Sequence, residues 1–295
     1  MSRRAPAVGP VLIMAAVSIS WGAIPLIVRS VDLPDLQLVA SRVWLGAFFL
    51  APIAVRATVP TGMRWRVGAI GILLAAHWGF FFIAISNASV ATALVLIYMA
   101  PLAMAAFAGP VLQETIRPVV IGALLLSVVG LWLVIGGEVA GSGLGIVAGL
   151  TSAAALAAFT IIGKPLAQAI GGLRTAALQV TTASIVLIPW AVAAVVDVPW
   201  EPAGTAPVWT WWWQVLVLGV FLTGFTIVIN WWVLTRLPVA TTSVLYYLEP
   251  ASAALLAALV LGERPTTGAA IGIALVLVAG ASVGFTARAR PAPVR

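Results

Sequence analysis

Residues 90–114 read VATALVLIYMAPLAMAAFAGPVLQE, and residues 239–263 read VATTSVLYYLEPASAALLAALVLGE. Set one over the other, a shift of 149 residues, they agree at twelve of twenty-five positions without a gap. Apolar composition explains several of those matches. It does not pair Tyr98 with Tyr247, Pro101 with Pro250 and Glu114 with Glu263 in one register. The two stretches are copies, so the chain is built twice over.

The rest of the sequence says what is duplicated. Of 295 residues, 63% are hydrophobic and 8% charged, and the mean hydropathy is +1.16. A soluble domain is about 45–50% apolar and about 25% charged. A soluble globule, a disordered chain and a fibrous protein are all excluded, and lipid is the solvent. Charges and turn residues divide the chain into ten apolar segments: 10–28, 36–55, 67–86, 89–110, 118–136, 143–163, 174–196, 209–231, 239–261 and 267–286. Each is long enough to cross a bilayer. Lipid admits only helices or closed barrels, and these runs lack the two-residue alternation of barrel strands. The first ends in Pro25 and Arg29 without a small-residue cleavage site, so it reads as a retained span rather than a signal peptide.

The expected fold is therefore an all-α membrane protein of ten transmembrane helices. The copied stretches are segments four and nine, so each half holds five spans, 1–137 and 138–295. Five is odd, and the second half enters the membrane from the opposite side, as an inverted repeat. Charge agrees. With the N-terminus inside, twelve basic residues fall inside: Arg3, Arg4, Arg56, Arg64, Arg66, Arg117, Lys164, Arg174, Arg236, Arg288, Arg290 and Arg295. Two, Arg29 and Arg264, fall outside, together with Asp32, Asp35, Glu138, Asp197, Glu201 and Glu263. Both termini are predicted cytoplasmic. Trp209, Trp211, Trp212 and Trp213 at one end of segment eight, with Trp231 and Trp232 at the other, read as interfacial belts.

Net charge is +7 and the pI is about 11.3. The basic residues stand singly in loops and tails, which points to the membrane surface and not to nucleic acid. Cysteine is absent and His77 is the one histidine. No disulfide, metal centre or bound cofactor is expected, and no set of catalytic residues. No Walker A loop is present, so ATP is not the direct energy source.

A few polar residues interrupt the apolar runs. Glu249 stands about mid-membrane in segment nine, where a carboxylate costs about 2.5–3.5 kcal/mol to insert. Such a group faces a cavity, where it can exchange protons or pair with an amine. The bland alternative is a protonated side chain bonded to backbone freed by Pro250. Thr242, Tyr246 and Glu249 share one helix face. Pro101 and Pro250 each remove a helical hydrogen bond, freeing carbonyls near Ile97 and Tyr246. Paired broken helices in corresponding places of two halves point to a binding site. Arg42 lies about 10 Å below the outer end of segment two. It either snorkels toward Asp35 or anchors a substrate carboxylate, so that with Glu249 it would hold a zwitterion. His77 could relay protons or bind solute, or simply pack. Trp21, Tyr98, Tyr247 and Asn230 are candidate cavity-lining groups. Glycines 141, 145 and 149, and glycines 268, 272, 280 and 284, form small faces for close helix packing, or for a homodimer through the last helix.

These residues also carry a resemblance. Trp21-Gly22, Arg42, the run from Pro101 to Glu114 and the runs Tyr247–Pro250 and Leu261–Arg264 resemble the ten-span EamA-type branch of the drug/metabolite transporter superfamily. The resemblance covers nearly the whole chain. It implies a bacterial inner-membrane exporter of amino acids, other metabolites or toxic compounds, often coupled to protons. One departure is Gln113, where the second copy has Gly262. Function is expected to be secondary active export of small organic solutes by alternating access. The alternatives are a channel, a non-transporting scaffold and, least supported, a membrane-embedded enzyme.

Overall fold

The computed structural model describes residues 8–31, 35–136, 140–189, 192, 212–262 and 265–288. It is all-helical apart from one isolated bridge between Ala88 and Gly141. Among the described residues, eight stretches are long and apolar enough to cross a membrane: Val8–Val28, Leu38–Val55, Thr61–Asn87, Thr92–Leu112, Gly143–Ile170, Trp212–Leu234, Val239–Leu261 and Thr267–Phe285. The expected fifth and seventh segments are present as shorter helices, α7 (Pro118–Val134) and α9 (Gly172–Val186). Residues 190, 191 and 193–196 of the seventh lie outside the described part, as do Asp32, Glu138, Asp197, Glu201, Glu263, Arg264, Trp209, Trp211, Arg3, Arg4, Arg290 and Arg295. Large apolar side chains such as Phe48, Val55 and Leu259 are exposed, with Val55 at 85%. Lipid is the medium that accepts such a surface.

Among the described residues, three of the spans are broken. The first divides into α1 (Val8–Trp21) and α2 (Ile24–Arg29) at Gly22-Ala23. α3 is Asp35–Val55 and α4 is Arg64–Asn87. The fourth span divides into α5 (Val90–Ile97) and α6 (Ala100–Leu112), interrupted at Tyr98-Met99. After α8 (Gly143–Ile170) comes α10 (Trp212–Leu234), which contains a π-helical run, Val217–Phe225. The ninth span divides at Tyr247 into α11 (Val239–Tyr246) and α12 (Leu248–Leu261). α13 is Thr267–Arg288. The breaks in the fourth and ninth spans fall three residues before Pro101 and Pro250, whose missing amide hydrogens favour an interruption there, although Pro52, Pro110 and Pro165 stand inside unbroken helices. The carbonyl seen to be satisfied there by a side chain is that of Tyr98, one residue beyond the expected Ile97. The break at Gly22 escaped the sequence reading.

The small faces are used inside the chain. α7 and α13 pack along each other. A Cβ at Gly272 would come 2.4 Å from the Gly130 carbonyl oxygen, and one at Gly268 would lie 3.9 Å from that of Leu133. The partner number falls as the α7 number rises, so the two helices run antiparallel. Gly141, Gly145 and Gly149 give room to Ala88, Asn87 and Leu96 respectively. Ser89 N–H donates to the Ala140 carbonyl and Ser142 N–H to that of Asn87, both at 2.9 Å. Ser89 and Ser142 also cap α5 and α8.

Two expectations are corrected here. Trp231 is no interfacial anchor. It is completely buried, donates from Nε1 to Gln179 Oε1 at 2.7 Å, and lies against Gly163, whose missing side chain makes room for the indole. Trp212 and Trp213 are half exposed, as a belt requires. Lys164 is no loop residue. α8 runs seven residues past the expected end, and Lys164 is buried there against Glu114. Its ammonium also donates to the Leu237 carbonyl at 2.7 Å. Glu114 in turn accepts from the Val239 amide at 2.7 Å, capping α11.

Candidate functional site

The broken helices meet around a cavity of about 240 Å³. α4 supplies one wall with His77, Trp78, Phe81 and Phe82, which follow one another around a single face. Phe159 of α8 and Trp21 at the end of α1 continue the aromatic lining. Polar groups reach in from five places: Arg42 on α3, Tyr98 at the first break, Gln179 on α9, Thr223 and Asn230 on α10, and Tyr246 with Glu249 astride the second break. A mostly apolar enclosure with a few convergent polar groups is the usual form of a small-molecule site.

Gly22 explains how Trp21 comes to this position. A Cβ there would lie 2.7 Å from the Ala253 amide nitrogen and 2.9 Å from the Glu249 carbonyl oxygen. Only a glycine lets α1 touch the backbone of α12 so closely. The contact sets the Trp21 ring 5.8 Å from that of Tyr246. The indole donates to Thr226 Oγ1 at 2.9 Å, which in turn donates to the Leu222 carbonyl.

Tyr246, Arg42 and His77 are each braced from behind. Tyr246 donates to Asn230 Oδ1 at 2.6 Å. Arg42 Nε donates to Thr223 Oγ1 at 3.0 Å, and its guanidinium carbon stands 6.0 Å from the centre of the Trp78 ring. The Asp35 side chain, the other expected partner of Arg42, lies outside the described part. Ser152 Oγ donates to the His77 carbonyl at 2.8 Å. Its single proton is used there, so His77 Nδ1 must be the donor toward Ser152 Oγ at 2.9 Å and Ser152 O at 3.1 Å. A neutral His77 then presents Nε2 as an acceptor.

Arg42 and Glu249 face the same space within range of each other's charge. They are not in direct ion-pair contact; among the described residues the close ion pair is Lys164–Glu114. The Tyr98 hydroxyl faces the Glu249 carboxylate. The structure thus gathers Trp21, Arg42, His77, Tyr98, Asn230, Tyr246 and Glu249 on one cavity, with Pro101 at its edge. Pro250 is not among the lining residues, and two more of the expected group are turned away from the cavity. Tyr247 is completely buried behind the break, and Thr242 is buried with its hydroxyl on the Pro238 carbonyl. Sequence reasoning missed Gln179, Thr223, Ser152 and Trp78. Gln179, Thr223 and Ser152 are polar residues inside apolar runs, and Trp78 adjoins His77, so a weak signal existed for each.

The model of the EamA-like transporter family matches this chain over residues 9–136 and again over 143–284. No curated protein matches it. Among solved structures, a protein crystal structure with 24% sequence identity covers 95% of this chain and 98% of its own, with a TM-score of 0.73. At that identity the likeness is one of fold.

Proposed function

The chain belongs to the EamA-like transporter family, and from that premise we propose a secondary active exporter of small organic solutes working by alternating access. Transport, rather than catalysis, is the function of the family. The carrying observation is that Arg42, from the first half of the chain, and Glu249, from the second, open on one aromatic-walled cavity. Arg42 would take a carboxylate and Glu249 an amine or a proton. Amino acids suit that pair, and the wider class includes other metabolites and toxic compounds. Proton coupling is assigned to Glu249 and His77.

The fold is proposed to be ten spans in two inverted five-helix repeats, 1–137 and 138–295. The two family matches have nearly these bounds. α7 and α9 would be the two further spans of the ten; α7, with 17 residues, is about 25 Å long, enough to cross where the bilayer thins slightly. The antiparallel pairing of α7 with α13 supports opposed halves. We assign the transporter to a bacterial inner membrane with both termini cytoplasmic, on the distribution of basic residues. The glycine faces are occupied within the chain, which favours a monomer over a homodimer.

A channel or a scaffold has no need of two opposed halves closing on one pocket. Purified protein in proteoliposomes separates the readings. An imposed pH gradient is expected to drive solute accumulation against its own gradient. Flux that only ever runs downhill would favour a channel, and no flux for any of a panel of amino acids, polyamines and cationic toxins would favour a scaffold.

A further inference from the structure

Arg42 is held from behind by a hydroxyl that the local helix geometry delivers to it. Thr223 Oγ1 donates its one proton to the Leu218 carbonyl at 2.8 Å, five residues back. Toward Arg42 Nε, 3.0 Å away, it is therefore an acceptor only. In an α-helix a threonine hydroxyl bonds the carbonyl three or four residues back. Here it reaches the fifth, because Thr223 lies in the π-helical run Val217–Phe225. Isolated π segments recur at functional positions.

Glycines bring the two helices into reach. A Cβ on Gly219 would stand 2.7 Å from Leu45 Cβ and 3.0 Å from the Arg42 carbonyl oxygen, and one on Gly46 would stand 3.1 Å from the Gly219 carbonyl oxygen. α3 and the π run touch almost backbone to backbone. Any side chain at these glycines would push Thr223 away from Arg42.

A guanidinium can meet a carboxylate along its Nε edge or at its two-Nη end. With Nε engaged, only the end remains. We propose that Thr223 is the positioning residue of the transporter. It fixes the Arg42 guanidinium so that both Nη groups meet the solute end-on, and so sets a preference for carboxylate-bearing solutes. The inference rests on the reading of Arg42 as a carboxylate anchor.

Two measurements on the full chain in lipid nanodiscs test it. The first needs no ligand: hydrogen exchange at Arg42 Nε–H by NMR on arginine-labelled protein, the signal being assigned by its loss in Arg42→Met. Thr223→Val is expected to speed exchange about tenfold or more, and Thr223→Ser to leave it slow. Thr223→Ala serves if valine disturbs packing. Unchanged exchange in both Thr223→Val and Thr223→Ala overturns the proposal. The second compares binding of leucine with that of isopentylamine, which is leucine without its carboxylate, by tryptophan quenching. Thr223→Val should reduce the preference for leucine about tenfold, and Thr223→Ser should keep it. If Arg42→Met abolishes the preference and Thr223→Val does not, the anchor stands and the positioning role falls. If wild type shows no preference, or Arg42→Met keeps it, the anchor reading falls.

Discussion

The Tyr247 hydroxyl donates to the Tyr98 carbonyl at 2.7 Å, across 149 residues of sequence, and the two rings stand 5.8 Å apart. These are the same residue of the two copies. A residue that meets its own repeat mate lies on the axis relating the copies, so this contact marks the proposed pseudo-dyad. It also supplies a donor to a carbonyl at the break of the fourth span, where water is scarce.

Tyr247→Phe removes that donor and keeps the ring. The Tyr98 carbonyl would be left without its side-chain partner, at a cost of about 1–3 kcal/mol. A lowered thermal unfolding midpoint with solute affinity intact is the expected result. A large loss of affinity without loss of stability would instead place Tyr247 in contact with solute.

Glu249→Gln keeps the shape of the side chain and removes its proton chemistry. Gradient-driven accumulation should be abolished, while solute counterflow without a pH gradient continues. Driven accumulation at the wild-type level would end the assignment of Glu249 as the coupling carboxylate.

Lys164→Met leaves the Glu114 carboxylate with the Val239 amide but without its cation. Removing one partner of a buried pair costs about 3–5 kcal/mol. Adding Glu114→Gln should recover a good part of that loss, because no uncompensated charge is then enclosed. Strictly additive destabilisation in the double variant would show that the two side chains act separately.

Gln113 ends α6 in the left-handed region, at φ 57°, where its repeat mate Gly262 ends α12 at φ 68°. A residue with a Cβ is strained there, and glycine is not. Gln113→Gly should stabilise the protein by about 1 kcal/mol, read as a raised unfolding midpoint. No gain would mean that the Gln113 side chain makes a compensating contact.

Much of this was legible in the chain itself. The duplicated stretch fixed Tyr98 and Tyr247 as counterparts, and Pro101 and Pro250 located two of the three broken helices. Polar residues within apolar runs picked out most of the cavity, because lipid penalises every such group that finds no partner. Trp231 and Lys164 were misread for a common reason. A tryptophan near the end of a span, or a lysine just past one, has the same local sequence whether it meets headgroups or the protein interior.

By itself the sequence determined that the chain lives in lipid, that one stretch of it occurs twice, and which backbone amides proline removes. These follow from composition, repetition and backbone chemistry, which are local properties. Only the tertiary structure decided that Arg42 and Glu249 share a cavity, that Gly22 brings Trp21 against Tyr246, and that Thr223 holds Arg42. In a membrane protein the buried and lipid-exposed faces of a helix are both apolar, so hydropathy gives no direction inward. Which face turns in is settled by close packing at small residues and by the pairing of the few polar groups.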